Sequence, residues 1–313
     1  MNQSEQAIIR HELSPNDGAI VAAIRAQVAP MKGNMVGPEA RAMFDQIMEQ
    51  TPEAAGVTYE NGVAGGVPGI WCRPKSAHPG NVILYLHGGA YVMGSVGAYR
   101  KFVGQIAART NTTVFAADYR LAPEHVFPAA VDDAQAAYRG LVEQGDQRII
   151  VAGDSAGGGL ALVLLSLAQA NSAAGNGLAP SAGIILSPWT DLAVTGQSVQ
   201  NRADEELFLT RDVLDASRKL YLRTRDATDP LASPLYGKLK GLPPIQLHVG
   251  TSEILLDDSL RYAVSARAQG VDATAHVWEG MPHVFPASVG TFDAADQALS
   301  IMAQFMHDKL HAK

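Results

Sequence analysis

The sequence lacks the features that announce several large functional classes. A single cysteine, Cys72, among 313 residues excludes an internal disulfide framework and fits a reducing compartment, so a cytoplasmic location is expected. No Cys/His cluster has zinc-ligand spacing, and no metal is expected. No run of Lys or Arg stands out, and 24 basic residues against 31 acidic ones give a net charge of −7, which argues against nucleic acid or an anionic membrane as partner. The opening residues, MNQSEQAIIRHELSPNDG, lack the basic flank and apolar core of a signal peptide. The longest apolar run, LALVLLSLAQA at 160–170, is too short to span a bilayer and reads as a buried helix. There is no internal repeat. What is there, 47% hydrophobic and 18% charged residues, suits a globular protein with a sizeable core, as one large α/β domain or two small ones.

Along the chain the texture changes three times. Ile20, Ile24 and Val28 recur four apart, one face of a helix, and Pro38 can open a second helix because its missing N–H is not needed there. Residues 1–50 are therefore expected to form N-terminal cap helices. Residues 57–73 read as two short strands around a glycine-rich turn. Then NVILYLH (81–87), TTVFAADY (112–119), RIIVAGD (148–154), AGIILSP (182–188), PIQLHVG (244–250) and ATAHVWEG (273–280) alternate with helical stretches. These runs are apolar without clean alternation, as in parallel strands covered on both faces by helices. A mostly parallel eight-stranded sheet flanked by helices is expected over 51–313. Residues 190–232 break the rhythm as a cap insertion, with Thr210 able to cap a helix through RDVLDASRKLYL.

In open α/β sheets ligands bind at the carboxyl ends of the strands, and the informative residues follow the apolar runs. After RIIVA comes GDSAGGG, which contains Gly153-Asp154-Ser155-Ala156-Gly157, and then a helical stretch. Strand, tight turn and helix are the setting in which G-x-S-x-G exposes a nucleophilic serine, and the helix N-terminus offers N–H groups to an oxyanion. After NVILYL comes HGGAYVMGS, where Gly88, Gly89 and Ala90 are candidate oxyanion donors, complemented by Ala156, and His87 is expected to orient the loop. A serine needs a base, and a histidine base needs a carboxylate. Of nine histidines, His248 and His276 lie inside expected strands, and His11, His78, His307 and His311 lie in polar or terminal segments. His125 lies in a loop after a strand. Only His283, in GMPHVFP, combines a strand-end loop with the chain order Ser…acid…His. VGTSEILLDDS offers the acid: Glu253 sits three residues past the strand end, whereas Asp257 and Asp258 lie where the next helix has begun. Glu253 is the candidate, with Asp257 as the alternative.

In order along the chain, HGGAYVMGS, DYRLAPEHVFPAA, GDSAGGG, SPWTDL, DPLASPLYGKLKGLPPIQLHVG and MPHVF resemble the bacterial hormone-sensitive-lipase-like (family IV) carboxylesterases of the α/β-hydrolase fold. The resemblance spans about 70–290. It implies a cofactor-free carboxylesterase acting on short acyl esters, with Ser155 as nucleophile, His283 as base, and donors on the HGG loop and at Ala156. It implies that Asp118 to Glu124 brace the site from behind, and it admits a homodimer. Two departures stand out. Ala90 takes the place of a common third glycine, where a backbone N–H serves equally well at negative φ. Glu253 takes the place of a common aspartate, and the register of Glu253-Ile-Leu-Leu-Asp257 against the family's D-x-L-x-D selects Glu253. Two other readings remain open: lactone, carbamate or N-acetyl hydrolysis on the same site, and a non-catalytic ligand-binding protein. The second usually goes with a lost triad member, and all three are present.

Overall fold

A computed structural model describes residues 7–311. In chain order it contains β1 (Ile8–His11), α1 (Pro15–Val28), α2 (Arg41–Met48), β2 (Val57–Ala64), β3 (Val67–Pro74), β4 (Asn81–Leu86), α3 (Val96–Thr110), β5 (Thr113–Ala117), α4 (Ala129–Glu143), β6 (Arg148–Asp154), α5 (Ser155–Ala173), β7 (Ala182–Leu186), α6 (Ser198–Asn201), α7 (Arg211–Leu222), β8 (Ile245–Gly250), α8 (Leu256–Ala268), β9 (Ala273–Trp278) and α9 (Asp293–His311). The strands form one sheet in the order β1-β9-β8-β7-β6-β4-β5-β3-β2. All neighbours run parallel except β3 against β5 and the β2–β3 hairpin. The hairpin turns on Gly65 and Gly66, at φ +56° and +82°. Two successive left-handed residues are what a tight two-residue hairpin loop requires.

The six apolar runs become β4 to β9, because each is covered on both faces. Every residue of β4, β5, β7 and β8 is buried. One face packs against α4, α5 and α8, the other against α3 and α9. α5 is long and apolar enough by composition to cross a bilayer, yet Leu160, Leu162 and Leu165 have no exposed surface in the core. Cys72 lies in β3 fully buried, and burial pushes its thiol up to about 12, so it is an inert core residue.

The expected eight strands are nine. Residues 8–11, expected among the cap helices, instead form β1, an edge strand parallel to β9. Four residues carry too little pattern to separate strand from helix, and the partner lies more than 260 positions away. The rest of the N-terminal segment is helical: Ser14 caps α1 by accepting from Asp17 N–H, and Pro38 opens a 3-10 turn that leads into α2. Residues 1–6 of the expected cap lie outside the described residues.

A chain of neutral histidines runs across β8, β9 and β1. Trp278 Nε1–H donates to His248 Nδ1 (3.2 Å), His248 Nε2–H to Gln246 Oε1 (3.1 Å), Gln246 Nε2–H to His276 Nε2 (3.3 Å), and His276 Nδ1–H to His11 Nε2 (2.9 Å). The network assigns these tautomers, and each accepting nitrogen faces a donor that a second proton would oppose. Burial lowers all three histidines, His276 to about 4. A histidine lowered by folding leaves the unfolded chain to bind protons first, so its contribution is lost as pH falls from 6.5 toward 4. Four raised carboxylates, Asp146, Asp154, Glu206 and Asp258, run the opposite way, so the test is differential. The unfolding free energy of wild type minus that of His276→Gln should shrink by up to about 3 kcal/mol between pH 7.5 and 4.5. A difference that does not change with pH in urea titrations would contradict the assignment.

Candidate active site

The strand order reverses between β4 and β6, which lie side by side with β5 and β7 on their outer flanks. The loops leaving the carboxyl ends of β4 and β6 therefore face one crevice. Ser155 begins α5 directly after β6 and is held at φ +53°, a left-handed conformation costly for a residue with a Cβ. The flanking glycines make that turn feasible. A Cβ on Gly157 would sit 2.2 Å from the carbonyl oxygens of Leu86 and His87, so only glycine lets α5 approach β4 this closely.

Three side chains from three loops then line up. Ser155 Oγ lies 2.9 Å from His283 Nε2, and His283 Nδ1 lies 2.8 Å from Glu253 Oε2. Glu253 is fully buried at the end of β8, where its Oε1 accepts from Gly250 N–H (2.7 Å) and from Ser187 Oγ (2.8 Å). Ser187, at φ +41°, also accepts from Val284 N–H at 3.1 Å, so one hydroxyl ties the acid to the histidine loop. Burial works against charge on His283, but the hydrogen bond and charge of Glu253, followed by Glu206 and Asp154, outweigh it and raise its pKa above 6.5. Asp257 is elsewhere: its carboxylate accepts from Ser198 N–H. Asp258, raised to about 7 by burial and by Asp191, accepts from Thr190 and Asp191 N–H. Both aspartates lie in the first turn of α8, as expected, and stitch the 190–200 segment to it.

Of the four candidate oxyanion donors, Gly88 is corrected. Its N–H donates to Asp154 Oδ1 at 3.0 Å. That carboxylate is buried, raised to about 6 by desolvation, and also accepts from Tyr85 (2.8 Å) and Tyr99 (2.9 Å). A buried carboxylate recruits every donor within reach. Gly89 and Ala90 line the same cavity as Ser155 and His283, and Ala156 lies in the first turn of α5, where N–H groups have no helical partner. Ala90 is at φ +55°, not the negative φ expected, which is the reason glycine suits this position. His87 Nδ1–H donates to Gly88 O (2.7 Å), fixing the loop. Tyr119 braces it from behind, stacking on His87 and donating to its carbonyl at 2.6 Å.

Above Ser155 lies a cavity of about 310 Å³ with largely apolar walls. Met93, Phe208 and Leu209 line it, joined by Met35 and Phe44 from the N-terminal segment and by Leu214 of α7. The two covering segments are tied together: Arg25 Nη2 donates to Glu205 O and Gly33 N–H to Phe208 O, each at 3.0 Å. Thr210 caps α7 by accepting from Val213 N–H. A wider open cleft of about 410 Å³ lies at the opposite ends of the strands, beside Asn81 and Thr113, and contains no serine–histidine pair. Among the described residues no group of three His, Cys, Asp or Glu side chains is arranged to hold a metal ion. Sequence reasoning missed Asp154, Ser187 and Glu206. The first two sat inside recognised motifs without a role, and their partners lie 55–97 positions away.

Comparison with known proteins bears on this arrangement. A family model described as alpha/beta hydrolase fold matches residues 83–287. The chain is similar to the acetyl-hydrolase of Streptomyces hygroscopicus, with 42% identity over 217 residues, 69% of this chain and 71% of that protein. It is similar to an esterase of Acinetobacter venetianus, with 36% identity over 281 residues, 88% of this chain and 90% of that protein. It also superposes on the crystal structure of an esterase from the bacterial hormone-sensitive lipase family with a TM-score of 0.86 at 36% identity, covering 95% of this chain and 99% of that one.

Proposed function

The chain belongs to the α/β-hydrolase fold family, among the hormone-sensitive-lipase-like carboxylesterases, and is a carboxylic ester hydrolase; from that premise we propose that it cleaves short-chain acyl esters through Ser155, His283 and Glu253. The observation that carries this reading is the unbroken hydrogen-bond chain from Ser155 Oγ through His283 to Glu253 Oε2, at 2.9 and 2.8 Å. His283 Nε2 takes the serine proton as Oγ attacks the ester carbonyl. Glu253 holds the Nδ1–H tautomer and stabilises the imidazolium. The N–H groups of Gly89, Ala90 and Ala156 receive the tetrahedral oxyanion. His283 returns the proton to the departing alcohol, then activates a water that frees the acid and regenerates Ser155. Residues 15–50 and 190–232 act together as the cap that excludes bulk water.

Short acyl chains are favoured by the cavity, which at about 310 Å³ lies at the small end of ligand pockets (roughly 300–1,000 Å³). The similar Streptomyces protein is named for acetyl hydrolysis. The test is kcat/KM for p-nitrophenyl esters from acetate to laurate. A maximum at acetate or butyrate, falling by about tenfold or more by laurate, is expected, since the walls cannot take up a long chain. A maximum at laurate would contradict the short-chain reading. Turnover of lactones or N-acetyl compounds without ester turnover would move the site to another acyl substrate.

A further inference from the structure

A buried carboxylate that the mechanism above does not use is hydrogen-bonded to the Glu253 loop, within electrostatic reach of His283. Glu206 lies between α6 and α7 and is 1% exposed. Its Oε1 accepts from the N–H groups of Leu207 (2.8 Å) and Phe208 (3.1 Å), while Oε2 accepts from Ile254 N–H (3.1 Å), the residue after Glu253. The nearby cations are engaged elsewhere: Arg202 pairs with the Glu205 carboxylate and Arg25 donates to the Glu205 carbonyl. Among the described residues no salt bridge includes Glu206. Burying a carboxylate without a cation is costly, so its retention calls for donors on both oxygens and an opposite charge that comes and goes. Donors are present on both oxygens, an arrangement that a glutamine, with one acceptor oxygen, cannot satisfy in full. The charge that comes and goes is on His283.

We propose that Glu206 is a positioning residue for ester hydrolysis: its carboxylate ties the Leu207–Leu209 wall of the cavity to the Glu253 loop and supplies a second negative charge that favours protonated His283 in the transition state. This rests on the reading of Ser155, His283 and Glu253 given above. The charged groups facing His283 are Glu253 from the end of β8, Glu206 from the insertion and Asp154 from β6; those facing Glu206 are His283 and Glu253. Burial raises the pKa of Glu206, while His283 and the N–H donors favour its ionised form. The two groups therefore support one another's charge, and the link runs from the cavity wall to the base.

The test is the pH profile of kcat/KM for p-nitrophenyl acetate, measured on wild type, Glu206→Gln and a Ser155→Ala control. His283 must be neutral to act, so activity falls on the acid side through its pKa. Removing one negative neighbour lowers that pKa: in Glu206→Gln the acid limb should move to lower pH by about half a unit or more, with kcat down about threefold or more as the same imidazolium stabilisation is lost. An unmoved limb in folded Glu206→Gln overturns the proposal. If Glu206→Gln fails to fold, Glu206→Asp carries the test. Its shorter side chain draws the charge back from Ile254 and the triad, and the limb should move the same way by less; an unmoved limb there overturns it equally. Residual full activity in Ser155→Ala would mean that the underlying reading, not this inference, has failed.

Discussion

Ser155→Ala should lower kcat on p-nitrophenyl acetate by about 10⁴- to 10⁶-fold, with a thermal melt within a few degrees of wild type. The activity loss follows because, among the described residues, the hydroxyl that reaches His283 Nε2 is that of Ser155. The intact fold follows because, among the described residues, Ser155 Oγ bonds only that nitrogen, so its removal strands no other buried group there. Alanine is no more strained than serine at φ +53°. The residual rate comes from the oxyanion donors and from substrate binding, which the substitution leaves in place. A folded variant that keeps wild-type kcat would remove Ser155 from the chemistry.

Glu253→Gln should be nearly as damaging, for a reason visible in its hydrogen bonds. Oε1 of Glu253 accepts from both Ser187 Oγ and Gly250 N–H. A glutamine keeps both donors satisfied only by placing its amide oxygen there, which turns its NH₂ toward His283 Nδ1. Nδ1 must then accept, its proton moves to Nε2, and the histidine presents N–H to Ser155 instead of a lone pair. The wrong tautomer costs about 10⁴-fold in kcat in a Ser-His-acid triad. Binding of substrate, which the cavity walls govern, should change little. The isosteric swap leaves the buried packing of the loop unchanged, so the loss should appear without unfolding.

The legible parts of this protein were those set by local chemistry. β4 to β9 show in the sequence because a parallel strand buried on both faces must be apolar throughout. Ser155 shows because its strained turn demands glycines at 153 and 157, and His283 because it alone combines a strand-end loop with the chain order Ser…acid…His. What could not be read depends on partners brought together by the fold. β1 has four residues and pairs at the sheet edge with a strand at the far end of the chain. Gly88 looked free until Asp154, Tyr85 and Tyr99 converged on one point. Ala90 carried no sign of its positive φ, since alanine rarely adopts it. Glu206 ends an acidic run, Asp204-Glu205-Glu206, that read locally is a solvated surface; only the fold brings it, buried, to the backbone N–H of Ile254 beside Glu253.

The central claim, that Glu253 rather than Asp257 serves His283, is tested most directly by kcat/KM for p-nitrophenyl acetate on Glu253→Gln and Asp257→Asn side by side. Asp257 accepts one hydrogen bond, from Ser198 N–H, and an asparagine oxygen can still accept it. The account predicts a loss of about 10⁴-fold in Glu253→Gln and a value within about threefold of wild type in Asp257→Asn. Near-wild-type activity in Glu253→Gln beside a collapse in Asp257→Asn would contradict it.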